Sequence, residues 1–387
     1  LIKNSNFGIY IHVPFCRRKC NYCDFYLVTN TNIIDNFVTT LINEIKMYAA
    51  EYTDITVDSI FYGGGTPSLL SDRQIYEIQN LLYKSFRIAG ICEITMEANP
   101  EDFISSPERF ASLRSSNINR ISFGVQSFNN DTLKFLTRLH TSEDAEKVLV
   151  NAKKYFDNIS IDMIYAVPSE TGNDLTKSFQ TALSLDIPHI SAYGLIFEKY
   201  TKLNMLFEQN KINKKNTDDE SEEYFIINNI LSDAGYRQYE VSNYSRKGFE
   251  SVHNRKYWKY DNYIGLGPSA HSSVDGERWN NFRSIIKYNR AVCSGAKPFD
   301  KKYKLSKKEI FEEFIFLGLR SEGIDIDRYS RLFNDNFEKR YESQIAEITE
   351  QGFGYISEEK FILNTKGKIL ADEIQLKYFS DINPAQE

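Results

Sequence analysis

Gly8-Ile9-Tyr10-Ile11-His12-Val13-Pro14-Phe15-Cys16-Arg17-Arg18-Lys19-Cys20-Asn21-Tyr22-Cys23 is an apolar strand that runs straight into three cysteines. The strand, Gly8 to Val13, is read from β-branched and aromatic residues bounded by a proline. The thiols, spaced Cys-x3-Cys-x2-Cys at Cys16, Cys20 and Cys23, carry the chemistry. Three thiolates so close together suit three irons of a [4Fe–4S] cluster, which is built on cysteine sulfur. The fourth iron then lacks a protein ligand and is open to a substrate or cofactor. A purely electron-carrying cluster would want a fourth cysteine. Cys92 and Cys293 are far off in sequence, in contexts that read as a core strand and a loose helix end. The competing readings are a zinc ion completed by His12, or three unrelated thiols. Zinc motifs usually come as separated Cys-x2-4-Cys pairs, so the cluster is the expectation.

Outward from this stretch, short apolar runs alternate with helical patterns, as in βα units around a parallel sheet. The expected strands after the first are Val57–Tyr62, Cys92–Ala98, Arg120–Val125, Ile159–Tyr165 and His189–Phe197. Helices are expected from about Ile33 to Glu51, from Ser71 as N-cap to Phe86, from Ser106-Pro107, in two stretches up to Tyr155, and over Asp174–Leu185. Such repeats are too few for an eight-fold barrel and suit a partial, open-sided one. The fold class is therefore α/β, a partial (β/α)6 barrel over 1–200. A more polar and irregular bridge is expected over 201–300, and a different module over 301–387. In that module Ser306–Leu319 and Arg328–Gly352 read as amphipathic helices. A hairpin sets Tyr355-Ile356 against Phe361-Ile362, and Thr365–Phe379 closes the chain as a helix. Helices followed by a hairpin suggest a winged-helix-like α+β module.

The cysteine loop, Gly63-Gly64-Gly65-Thr66-Pro67, Glu97, Gln126 and Asp162 all fall at or near the carboxyl ends of expected strands. In barrels that rim carries the active site. Singly each could be a loop polar group or a helix cap, but their convergence on one rim points to a site.

Composition agrees with an enzyme-like, reducing-compartment protein. Hydrophobic residues make up 41% of 387, net charge is −6, and there are five cysteines, three of them clustered. No apolar run approaches the ~18–20 residues needed to span a membrane, and no basic-then-apolar leader is seen. A cytoplasmic location is expected. No dense basic stretch appears, so nucleic acid is not an expected partner.

Taken together, IYIHVPFC, FYGGGTPS, GVQSF and DMIYAVP resemble the radical S-adenosylmethionine (SAM) superfamily, and within it the coproporphyrinogen-oxidase-like branch, from about Tyr10 to His271. The resemblance implies that Cys16, Cys20 and Cys23 hold a [4Fe–4S] cluster whose open iron is chelated by SAM. It further implies that Gly64, Gly65 and Thr66 receive the methionine ammonium, with Glu97 as the SAM-binding glutamate. Gln126 and Asp162 match the contacts to adenosine, and Arg138 matches a carboxylate-binding arginine whose fork suits a bidentate grip. Tyr22 takes the aromatic position near the adenine. Tyr10 matches an active-site tyrosine, with a core-facing strand aromatic as the alternative.

A second block, His253-Asn254-Arg255-Lys256-Tyr257-Trp258, offers an imidazole on an expected loop, with aromatics close behind. Those are groups that haem iron and a porphyrin face use, although a packed aromatic corner has the same composition. The block fits the HNxxYW pattern of the HemW group, associated with haem binding and delivery. Tyr263 to Ser272 fits that group's YxGLGPxAHS pattern, with His271 read as a loop-capping imidazole or a second haem-side ligand. True oxygen-independent coproporphyrinogen oxidases resemble Cys-x3-Cys-x2-Cys-x-Cys, and the last position here is Phe25. They also carry a longer segment ahead of the first cysteine. The resemblance thus implies a haem chaperone with haem, SAM and the cluster as cofactors. Its partners would be a haem-acceptor protein and an electron donor for the cluster, with membrane contact only through the acceptor. A radical enzyme that decarboxylates coproporphyrinogen III is the alternative.

Overall fold

Six parallel strands form where the patterning placed them: β1 (Asn6–Val13), β2 (Thr56–Gly64), β3 (Arg87–Ala98), β4 (Arg120–Gln126), β5 (Asn158–Tyr165) and β6 (His189–Gly194). They pair in sequence order in a computed structural model that describes residues 6–379. Residues 1–5 and 380–387, the ends of the outer two expected segments, lie outside the described residues. Helices between the strands bury one face of the sheet. In β1, Ile9, Ile11 and Val13 join the main apolar core, while Gly8, Tyr10 and His12 alternate to the other face. Ser71 caps the helix Asp72–Ser85 in a reciprocal capping box with Gln74.

Some boundaries move. β6 stops at Gly194 instead of running to Phe197, whose ring packs against Phe207. The helix expected from Ser106-Pro107 begins at Arg109, because the bonds before it are of the tighter turn type, such as Phe110 N–H to the Pro107 carbonyl.

The stretch 201–300, read as irregular, carries six short strands instead. They are β7 (Arg237–Gln238), β8 (Asn243–Ser245), β9 (Tyr263–Leu266), β10 (His271–Val274), β11 (Glu277–Asn281) and β12 (Phe299–Lys304). β8 pairs antiparallel with β6, and β9 pairs parallel with β1, so both edges of the parallel core are extended. The sheet runs β12-β11-β10-β9-β1-β2-β3-β4-β5-β6-β8-β7. Strands of two to six residues offer too few alternations to stand out in a sequence.

The inner face of the sheet is polar. Ser59, Glu93, Arg120, Ser160 and His189 are all buried there. The helix Val252–Trp258 packs against them, its first turn held by Glu93, which accepts from Ser251 Oγ (3.3 Å), Val252 N–H (3.0 Å) and His253 N–H (3.0 Å).

At the carboxyl end of the module, β13 (Ile324–Asp325), β14 (Gly354–Ser357) and β15 (Lys360–Leu363) form a small antiparallel sheet. Tyr355 faces Ile362 and Ile356 faces Phe361, the register read from sequence. The helix expected over Arg328–Gly352 is three shorter ones: Ile326–Phe333, Phe337–Arg340 and Glu342–Glu350. Asn334 breaks it at a left-handed φ of 51°, a conformation asparagine tolerates. The closing helix is likewise divided, into Thr365–Ile369 and Ala371–Tyr378. The module has its own aromatic core and meets the barrel at the helix Val252–Trp258, through Arg255 to Glu322 (2.5 Å).

One buried carboxylate ties the flank of the barrel together. Glu44 accepts from Gly267 N–H (2.7 Å), Asn281 Nδ2 (2.6 Å) and Tyr288 OH (2.7 Å). Burial pushes its carboxyl up to about 7, against the pull of those donors. Glu44→Gln should lower unfolding free energy by about 1–3 kcal/mol, since the new amide sets a donor against a buried donor. Urea unfolding checks this, and an unchanged midpoint would show that the network rearranges freely.

Candidate functional site

A cavity of about 490 Å³ opens at the carboxyl ends of the parallel strands, within the range of cofactor pockets. Cys16, Cys20, Cys23, Tyr22, Gly64, Gly65, Thr66, Glu97, Gln126, Arg138 and Asp162 all line it. Residues from more than 140 positions of chain are thus gathered on one rim, and each has a stated local cause.

The cysteine loop is fastened to the triple-glycine loop. Gly65 N–H donates to the Val13 carbonyl (2.8 Å) and Thr66 N–H to the Phe15 carbonyl (2.7 Å). A Cβ on Gly65 would sit 2.6 Å from the Phe15 oxygen, and Gly64 has a φ of 108° beside the His12 ring. Both therefore need glycine. The Cys16 Sγ lies 3.0 Å from Thr66 Oγ1. Asp102 adds a second tie, accepting from Arg17 Nε (3.0 Å) and Ser68 Oγ (2.7 Å).

Arg138 reaches the site from the turn that follows the short helix Asn130–Phe135. Its Nη2 donates to Asn99 Oδ1 (2.5 Å) and the Gly124 carbonyl (2.8 Å), and Nη1 approaches Cys20 Sγ at 3.7 Å. Its Nε is buried with no partner among the described residues. The Asn99 amide donates in turn to Thr66 Oγ1 (3.1 Å), so a hydrogen-bonded chain runs from Arg138 through Asn99 and Thr66 to Cys16. Tyr22 is hydrogen-bonded to Arg138 and packs beside Leu136, Ile164 and Val167.

The opposite wall is acidic. Glu97 accepts from Gly64 N–H (2.9 Å), and burial, with Asp162 nearby, pushes its carboxyl up to about 8. Burial also raises Asp162, which accepts from Ser122 Oγ (3.4 Å). Gln126 ends β4 at a left-handed φ of 70°. Its Nε2 would lie 2.8 Å from a Cβ at Gly124, the position where Asn99 and Arg138 also crowd in. The Arg138 guanidinium in a cavity also lined by the half-buried Glu97 and Asp162, which the buried Arg120 approaches as well, fits a ligand carrying both a carboxylate and cationic groups.

The three thiols all line the cavity. Burial raises Cys16, as a free thiol, to about 12, with Cys23 and Cys20 adding to the shift, and Cys23 is raised the same way. Among the described residues, no three His, Cys, Asp or Glu side chains, the three loop cysteines included, are grouped so as to hold a metal ion. His12, the residue offered to a zinc, instead accepts or donates at Tyr10 OH (3.2 Å), and burial lowers it to about 4.

Two expected residues stand apart from the cavity lining. Tyr10 lies beneath the cavity, stacked on Phe61 and His253. His253 was read as a loop histidine with a free ring nitrogen. The structure puts it on the helix Val252–Trp258, 1% exposed, with Nδ1 3.0 Å from Ser59 Oγ and Nε2 3.0 Å from Tyr257 OH. Burial lowers it to about 3, and both nitrogens are engaged because the helix turns into the polar face of the sheet. His271 opens strand β10, exposed and opposite Asn280, and so is not a loop cap. Cys92 is buried in β3, and Cys293 is exposed at a helix end.

Asn99, Glu101 and His140 were missed. His140 Nδ1 lies 3.0 Å from Glu101, and Glu101 lies 4.0 Å from Arg138. Asn99-Pro100-Glu101 directly follows the third strand, so the rim rule that flagged Glu97 would have found Asn99 and Glu101, while nothing in the sequence pointed to His140.

The profile of the radical SAM superfamily matches residues 10–182, and that of the HemN C-terminal domain matches 305–370. "Heme chaperone HemW" of Bacillus subtilis is 32% identical over 94% of this chain and 97% of its own length. "Heme chaperone HemW" of Lactococcus lactis is 35% identical, over 96% and 97%. The chain belongs to the HemW family. Among solved structures, coproporphyrinogen III oxidase (HemN) from Escherichia coli superposes with a TM-score of 0.81 at 20% identity, covering 97% of this chain and 91% of that one. That likeness establishes the shared fold, a radical SAM α/β sheet with the C-terminal module. Among the described residues no helix is long and apolar enough to cross a membrane.

Proposed function

We propose that this HemW-family chain is a haem chaperone, which binds haem and passes it to an acceptor protein. It would carry a [4Fe–4S] cluster on Cys16, Cys20 and Cys23 and exchangeable SAM. The observation that carries the reading is the match to two proteins named heme chaperone over nearly the full length of all three chains. The cluster would supply one iron free of protein ligands, to which SAM's amino and carboxylate groups bind. Arg138 would take the SAM carboxylate through its unpartnered Nε edge. The N–H groups of Gly64, Gly65 and Thr66 are donors and cannot receive an ammonium, so its acceptors would be Glu97 and the carbonyls of this loop. Asp162 and Gln126 would hold the ribose and adenine, and Tyr22 would cover the ring. The rim of this cavity exposes Phe25, Leu139 and Ile196, apolar surface that a porphyrin face could cover.

In this reading the domains are the radical SAM barrel over 1–200, a substrate-side segment over 201–300 and the module over 301–387. A cytoplasmic setting, an electron donor for the cluster and no nucleic-acid partner complete it. His253 enters as an axial ligand only in a state where it has given up Ser59 and Tyr257.

Haem titration and a coproporphyrinogen III assay on one anaerobically reconstituted sample test the reading. We expect about one haem per chain and no conversion of coproporphyrinogen with SAM and reductant present. Accumulation of protoporphyrinogen with matching 5′-deoxyadenosine would establish the radical decarboxylase instead. An unaltered Soret spectrum in His253→Ala would remove that residue from the haem site and leave the chaperone reading standing.

A further inference from the structure

We infer that His253 is a positioning residue for the acidic wall of the SAM site, acting through Tyr10. The inference rests on the proposed SAM site and concerns a residue that does not line it. His253 lies against Gly8 on the inner face of β1, where a Cβ at Gly8 would come 3.0 Å from its Cε1. One step up the same face of β1 is Tyr10, whose ring stacks on His253 (6.2 Å between centroids, 29° between planes) and on Phe61 (6.1 Å, 26°). The His253 and Phe61 rings are 5.2 Å apart, so the three form one packed group. Above it, Tyr10 and Glu97 meet over Gly63: a Cβ there would stand 2.9 Å from Tyr10 Cε2 and 3.1 Å from Glu97 Oε2. That same Oε2 accepts from Gly64 N–H at 2.9 Å.

The imidazole is itself pinned, by Ser59 on β2 and by Tyr257 one helical turn away. Close packing leaves no room for Tyr10 to shift while His253 stays in place. Loss of the imidazole opens space under Tyr10, which packs beside Glu97 over Gly63 and whose OH lies 3.2 Å from His12 Nδ1. The helix that carries His253 is also the one the C-terminal module grips through Arg255 and Glu322. A flat ring under Tyr10 and Phe61 is what the position requires, and the bonds to Ser59 and Tyr257 set its orientation.

The test uses full-length protein, reconstituted anaerobically, as parent, His253→Ala, His253→Phe and Tyr10→Leu. Iron and sulfide content reports the cluster, calorimetry reports SAM affinity, and low-temperature EPR of the reduced cluster with and without SAM reports contact between them. We expect His253→Ala to keep its cluster but bind SAM about tenfold more weakly, as for a displaced charged hydrogen bond. Its EPR change on SAM addition should be smaller at matched concentration. His253→Phe, which keeps the flat ring against Tyr10 and Phe61, should recover most of the lost affinity. A defect of overall folding would instead take the cluster with it. If His253→Ala does not accumulate, Tyr10→Leu removes the same link from the other side and should show the same weakening. Parental SAM affinity in a cluster-bearing His253→Ala or Tyr10→Leu overturns the inference and leaves the SAM site intact. Failure of the parent itself to bind SAM overturns the SAM site, and the inference with it.

Discussion

Cys20→Ala protein, purified without oxygen, should fold normally and lose its iron and sulfide. The parent should hold about four irons per chain, as one cubane. Two thiolates cannot secure a cluster whose other two irons are both unanchored, so the loss should be near complete and not a matter of degree. The fold should survive, because the loop is anchored by groups that the substitution leaves alone. Cys16 N–H donates to the Val28 carbonyl (3.2 Å), Leu203 N–H to the Asn21 carbonyl (2.8 Å), and Arg17 pairs with Asp102. Cys20 is half-buried and makes only the long contact to Arg138. Cys16→Ala and Cys23→Ala should behave alike, and replacing Cys92 or Cys293 should leave iron unchanged. Parental iron and sulfide in all three loop variants would refute the assignment.

The residues that line this cavity were largely legible because many of them are neighbours in the sequence. Three thiols within one loop, and three glycines at one strand end, need no tertiary information to be noticed. Tyr355-Ile356 against Phe361-Ile362 was equally readable, since alternation and a short polar turn fix a hairpin's register. Long-range packing was not readable. Nothing near His253 in sequence says that Ser59, some two hundred positions earlier, occupies its ring nitrogen. The same holds for Glu93 capping the helix that carries it. A histidine followed by Tyr257 and Trp258 looks the same whether it faces solvent or the inner side of a sheet. The strands β7 to β12 escaped because they are only two to six residues long, too short for alternation to show, although β10 and β11 form a local hairpin across Asp275-Gly276 whose turn residues could have been noticed. Asn99 was passed over because Asn-Pro reads as a strand stop, and its amide proved to be the link between Arg138 and Thr66.

Arg138→Ala should keep the cluster's absorbance and weaken SAM binding by about ten- to a hundredfold, the usual value of a charge-assisted hydrogen bond of ~1.5–3 kcal/mol. The upper part of that range is expected, for a reason specific to this arginine. Its guanidinium is buried and spans Asn99, the Gly124 carbonyl and Cys20, so its position is already fixed before any ligand arrives. Burial opposes its charge, but Tyr22, Glu101 and Cys20 together hold it in the charged form. Truncation therefore removes one of the two cations, with the buried Arg120, that the acidic wall faces, and also frees Asn99 from its partner. Glu97→Ala should weaken SAM by a similar route from the opposite wall, while leaving Gly64 N–H unpaired. Arg138→Lys should not restore affinity, because a single ammonium cannot reach Asn99, Gly124 and a ligand carboxylate in one plane. Calorimetric titration of each cluster-loaded variant with SAM decides the matter. Parental affinity in Arg138→Ala would mean that the carboxylate is held elsewhere in the cavity. Rescue by lysine would mean that only charge, and not the fork, is used.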